Sequence, residues 1–213
     1  MSTSIGIGFS QDMDVEKAAR DAAFESKSNL RADHIDVALV FSSIHYDPQV
    51  TTPILQKVLS KAKMIGCSTA GIILSESVQT RGIAVLTISS KDIKFGTASY
   101  ENIASKAPHH AGVVLARDTL KEFGRHGRQV FLFFIDGLIR DNSEFLKGLQ
   151  EILGNIFPII GAGSSDNFHF TGGFQLFQDK VLRLSATSLL LGGHSNVGVG
   201  GGHGWSPLGK PRV

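Results

Sequence analysis

Hydrophobic positions in this chain fall into short extended runs that alternate with stripes of helical period. Ile5–Phe9 reads as an opening strand. Val15, Ala18, Ala19, Ala22 and Ala23 follow at the spacing of an amphipathic helix, with Asp14 placed to cap it. Ile35–Ser43 reads as a buried strand. Thr52–Pro53 reads as a cap followed by proline at the first helical position, and Ile54, Leu55, Val58, Leu59 and Ala62 form that helix's apolar face. Met64–Gly66 leads into a loop of small residues, and Gly82–Ser89 is a further strand.

The same order then recurs. Ile93–Ser99 is a strand, and Pro108 opens a helix whose face carries Val113, Ala116, Leu120 and Phe123, with Gly124 as its stop. Gln129–Ile135 is a buried strand. Asp141 and Glu144 have the spacing of a capping box ahead of Phe145, Leu149, Ile152 and Leu153, and Gly154 closes that helix. Ile156–Gly161 enters a second small-residue loop. Phe174–Leu182 reads as a hairpin turning at Gln178–Asp179, and Ser185–Gly193 answers Gly82–Ser89. Asn196 to Val213 is glycine-rich and carries no helical stripe.

Ile65–Gly66–Cys67–Ser68–Thr69–Ala70–Gly71 returns about ninety-five residues later as Ile160–Gly161–Ala162–Gly163–Ser164–Ser165–Asp166. Repetition at this scale predicts an α/β fold, an internally duplicated mixed sheet system with flanking helices and pseudo-twofold architecture. No linker composition appears near Ser90, so residues 1–213 read as one domain with halves at about 1–90 and 91–193.

Composition narrows the function classes. Hydrophobic residues at 42% and charged residues at 19% are an ordinary globular mixture. The net charge is +2, without a clustered basic footprint, so nucleic acid is not expected as a partner. No apolar run approaches the ~18 residues of a membrane helix. Cys67 is the single cysteine, which removes an intrachain disulfide and fits a cytoplasmic setting.

The two small-residue loops carry the candidate chemistry. Glycine lets backbone amides approach an anion or carbonyl; the alternative is close packing of neighbouring elements. The candidate ligand-binding residues are Gly66, Cys67, Ser68, Thr69 and Gly71 with Gly161, Gly163, Ser164, Ser165 and Asp166, joined by His203 and Trp205. Sharper motifs fail. Ala70 stands where a nucleophile elbow needs its second glycine, and Gly161–Ala162–Gly163–Ser164–Ser165 ends on Asp166 instead of completing a dinucleotide fingerprint. Cys67 would serve as a nucleophile only with a base such as His45, His169 or His203 in reach; otherwise it is an inert core thiol. Asp166 either orients a ligand amine or closes an Asx turn. The eight histidines have no metal-ligand spacing, although one of them in an apolar pocket would suffice as an axial haem ligand. No catalytic residue is assigned, and the chain is not read as an enzyme.

Ile65–Gly71, Ile159–Asp166 and His203–Gly204–Trp205–Ser206–Pro207–Leu208–Gly209 together resemble the FIST N-terminal domain, across essentially the whole chain. That resemblance implies a sensory module of bacterial, archaeal and some eukaryotic signalling proteins, with a small ligand such as an amino acid. It further implies haem and nitric-oxide sensing in some members. The implied partners are a C-terminal FIST half, expected beyond this chain, and output proteins such as kinases or cyclic-nucleotide enzymes. The family usually follows GCSTAG with a glutamate; Ile72 stands there, which moves ammonium recognition to Asp166 or Glu76.

Overall fold

A computed structural model describes residues 3–103, 107–202, 204–206 and 209. In chain order the elements are β1 (Thr3–Ser10), α1 (Val15–Asn29), β2 (Val37–Ser43), α2 (Pro48–Leu59), β3 (Lys63–Thr69), β4 (Ile72–Ile73), β5 (Val78–Gln79) and β6 (Ile83–Ser90). The second series is β7 (Ile93–Tyr100), α3 (Pro108–Phe123), β8 (Arg128–Asp136), α4 (Asn142–Leu153), β9 (Ile159–Ser164), β10 (Gln175–Phe177), β11 (Lys180–Leu182) and β12 (Ala186–Gly193).

Two mixed sheets result. The first runs β1-β6-β2-β3-β10-β11 and the second β7-β12-β8-β9, while β4–β5 forms a small hairpin of its own. Within each, one parallel pair is joined by a helix, β2–β3 through α2 and β8–β9 through α4; the remaining pairs are antiparallel. The α/β class with four flanking helices is as expected, and both units share one strand order.

Alternation along the central strands builds four layers. Ala38 and Val40 of β2 face α1 and α2, where Ala18, Ala19, Ala22, Leu55 and Leu59 complete a helix–sheet core. Val37 and Leu39 turn the other way and meet Phe95, Phe134 and Leu189 of the second sheet. Phe41 and Phe134 touch edge to face across that layer, ring centroids 5.5 Å apart. Phe131, Phe133, Phe145 and Leu149 fill the second helix–sheet core. Strands buried on both faces explain why their apolar runs are nearly continuous. Small residues set the close approach of α1 to β1: a Cβ on Gly6 would lie 2.0 Å from the Ser26 carbonyl oxygen.

Three local expectations are corrected. The α2 cap is Asp47, whose side chain accepts from the Gln49 N–H at 2.9 Å, with Pro48 in the first turn. Pro53 lies inside the helix, and Thr52 Oγ1 is buried without a hydrogen-bond partner. Asp ranks above Thr as an N-cap acceptor, so Asp47–Pro48 starts the helix and Thr52–Pro53 does not. Asp141 sits at φ 60° and makes no side-chain cap, so the capping box does not form. Finally, the small-residue stretches are not loops: Gly66–Thr69 lies in β3 and Gly161–Ser164 in β9.

Candidate functional site

The ends of β3 and β9 meet, as their shared sequence pattern suggested, but they meet in a closed polar junction. The Ser165 N–H donates to the Ser68 carbonyl at 3.1 Å. The Ser68 N–H donates to the Phe174 carbonyl at 2.9 Å, and the Phe174 N–H returns a bond to Ser68 Oγ at 3.0 Å. Gly173 wedges between the two serines: a Cβ there would lie 2.3 Å from Ser164 Oγ and 2.7 Å from Ser68 Oγ. The Gln175 amide bridges Ser164 Oγ at 2.7 Å and Ser185 Oγ at 2.6 Å. It is oriented with its oxygen toward Ser164, which also places that oxygen 3.2 Å from the Asp136 N–H.

Asp136, Gln175 and Ser185 belong to this junction although the sequence did not single them out. Asp136 is buried, and its carboxylate accepts from the Leu138 and Leu184 N–H groups at 3.0 and 3.1 Å. Its position at the end of an apolar strand was the available signal, since a carboxylate there requires local donors when buried.

Asp166 is likewise occupied. Its Oδ2 accepts from the Thr171 and Gly172 N–H groups at 2.6 and 3.0 Å. Burial pushes its carboxyl up, but the amides of Gly172, Thr171 and Phe170 outweigh that and hold it below the ordinary value of 3.8. The expected Asx turn, a bond to the amide two residues on, does not form; the carboxylate reaches amides five and six residues ahead and closes the 166–172 loop. Thr69 Oγ1 closes a tight turn on the Gly71 carbonyl at 2.7 Å. Cys67 faces the apolar layer between the sheets beside Phe134 and Leu189, and burial alone pushes its thiol up to about 12.

Thus Gly66, Cys67, Ser68, Ser164 and Asp166 are buried, Thr69, Gly71 and Ser165 are half-buried, and Gly161 and Gly163 lie exposed on β9, the last strand of its sheet among the described residues. Trp205 is exposed and His203 lies outside the described residues. The junction unites the two repeated segments and welds the units together; its internal bonds leave little to offer a ligand.

Concave space lies elsewhere. A cleft of about 540 Å³ opens between the β1–β6 edge and the β4–β5 hairpin, with Ile7, Phe9, Ala84 and Leu86 as its floor, Ile72 to Ser77 as its roof, and Glu25 in the wall. Glu25 Oε2 accepts the Phe9 N–H at 2.9 Å, while Glu76 stands at the hairpin turn. The cleft exists because the second sheet does not cover β1: Ile5 and Ile7 remain about half exposed. A groove of about 550 Å³ between α1 and α2 is instead rimmed by Arg20, Lys27 and Lys57. Among the described residues, no group of His, Cys, Asp and Glu forms a metal site, and no helix is long and apolar enough to cross a membrane.

The repeated α/β units, the GCSTAG strand end and the second small-residue strand define the class of fold to which the sequence pointed. Residues 36–213 match the FIST N domain, and the chain belongs to that family, a family of sensory domains in signal transduction. No curated protein matches the chain. Among solved structures it is similar to cyanuic acid hydrolase from A. caulinodans, at 7% identity and a TM-score of 0.48, over 91% of this chain and 72% of that one. A likeness of that degree carries no argument about activity.

Proposed function

We propose that this chain is a ligand-sensing module that takes a small molecule with an apolar body and a protonated amine, such as an amino acid or related metabolite. The observation that carries the reading is the cleft under the β4–β5 hairpin, which has an apolar floor and counts Glu25 and Glu76 among its lining residues. Pockets of this size with a few convergent polar groups are the common form of small-molecule sites. Glu76 supplies the charge that Ile72 does not, and Asp166 is already committed to backbone amides. A ligand that prefers one setting of the hairpin would bias its population, which is the form a sensory response takes. Kinases or cyclic-nucleotide enzymes are the output partners this reading calls for, in a cytoplasmic setting.

Chemistry at Cys67 is disfavoured by its apolar neighbours and raised pKa, so the reading is non-catalytic. Haem fits poorly. Among the described residues, the clefts walled by His34 and His126 hold about 210 to 250 Å³ and are lined largely by charged and polar residues.

Thermal-shift screening with amino acids and aliphatic amines tests the proposal. A true ligand at a hundred times its Kd stabilises by about 2.7 kcal/mol. Glu76→Gln should abolish that shift while Asp166→Asn preserves it. No stabilising compound, or full binding by Glu76→Gln, would sink the reading.

A further inference from the structure

The two units use their hairpins differently. β10–β11 crosses from the second unit and pairs with the outer edge of β3, setting Gln175 opposite Cys67, Leu176 opposite Gly66 and Phe177 opposite Ile65. There Leu176 is fully buried in the first helix–sheet core, with Val181 packed against it. The positional counterpart is β4–β5. Leu86 lies opposite Leu39 and Leu189 opposite Leu132, and the interval from Leu86 to Leu189 also carries Ile73 to Leu176 and Val78 to Val181. Yet Ile73 is 83% and Val78 70% exposed.

The acceptor is bare in the same way. β9 corresponds to β3, because Phe41 pairs with Cys67 as Phe134 pairs with Ala162. Its outer edge takes no strand among the described residues, and no charged residue guards Ile159–Ser164. Ile156, three residues before β9, is 99% exposed. An open, uncharged edge is a template for another strand.

We propose that the β4–β5 hairpin of a second copy of this chain pairs with the outer edge of β9, repeating between molecules the contact that β10–β11 makes on β3 within one. Among the described residues each chain holds one hairpin and one edge without such a match, so the contact is heterologous, head to tail. Charge agrees with the register. Within the chain the Gln178 N–H reaches the Met64 carbonyl at 2.8 Å. By the same counterparts Ser75 meets Ile159 and brings Glu76 toward the exposed Arg128 guanidinium, which lies 5.3 Å from the Phe157 ring centre.

Analytical ultracentrifugation of the full chain without ligand, from about 1 to 100 µM, is the test. The chain should sediment as a dimer or larger assembly. Ile73→Asp with Val78→Asp should weaken association at least about tenfold, with the thermal midpoint unchanged at concentrations where both proteins are monomeric, because both positions are exposed within one chain. Glu76→Arg and Arg128→Glu should each weaken it, and the pair together should restore it. A monomer throughout the range, or association indifferent to these changes, overturns the proposal. So does a monomer that binds only a different protein at β9. Since no ligand is present, the outcome is independent of the ligand reading.

Discussion

Cys67 shows how one residue's role follows from what surrounds it. Its side chain lies among Leu39, Ile65, Phe134 and Leu189, and burial raises its pKa from 9.0 to about 12. Between those values the unfolded chain ionises the thiol and the folded chain does not, so the unfolded state binds fewer protons. The stability associated with this thiol is therefore complete below about pH 9 and is lost as pH rises toward 12. Denaturation midpoints should fall over that window in the wild type and fall less in Cys67→Ala. Iodoacetamide at pH 8 should label the unfolded protein and leave the folded one unlabelled; rapid labelling of the folded chain would contradict the burial. Asp166 makes the opposite case: a carboxylate that reads as a ligand contact from its motif is consumed by the turn that follows it.

Among the elements, α2 discriminates best between the local reading and the observed structure. Asp47 caps it, and Thr52 holds a buried hydroxyl with no partner. Asp47→Ala should cost about 1 kcal/mol by loss of the cap. Thr52→Val should be neutral or stabilising, because it removes a polar group that burial penalises. Urea denaturation of both variants checks the pair, and the reverse ranking would restore Thr52 as the cap. β3 and β9 illustrate a different competition. Glycine is depleted in strands and small hydroxylated residues are common in turns, so Gly66–Thr69 looked like a loop, yet pairing to β2 on one side and β10 on the other holds it extended.

At the scale of the molecule, the layer between the sheets joins two units that each already own a helix–sheet core. Phe134 stands in that layer against Phe41. Phe134→Ala should cost about 3–5 kcal/mol by guanidinium denaturation, as large aromatic truncations in cores do. A cost below about 1 kcal/mol, the scale of an ordinary substitution, would show that the sheets contribute little to each other. Lys63 adds a polar tether at the seam, meeting Glu122 at 2.5 Å and the Phe95 carbonyl at 2.7 Å.

The sequence by itself determined the helices, the apolar strands and the recurrence of one pattern, because hydrophobic period and most caps are local properties. Ala18–Ala23, Leu39–Phe41 and Ile83–Ile88 announce their faces without reference to anything distant. Tertiary structure alone decided where the recurring segments end: Ser68 and Ser164 are sealed by Gly173 and Gln175, residues remote from Ser68 in the chain. It also decided that β10–β11 completes the neighbouring unit while β4–β5 roofs a cleft. Strand pairing and concavity arise from contacts between distant segments, and no local period encodes which edge a hairpin will find.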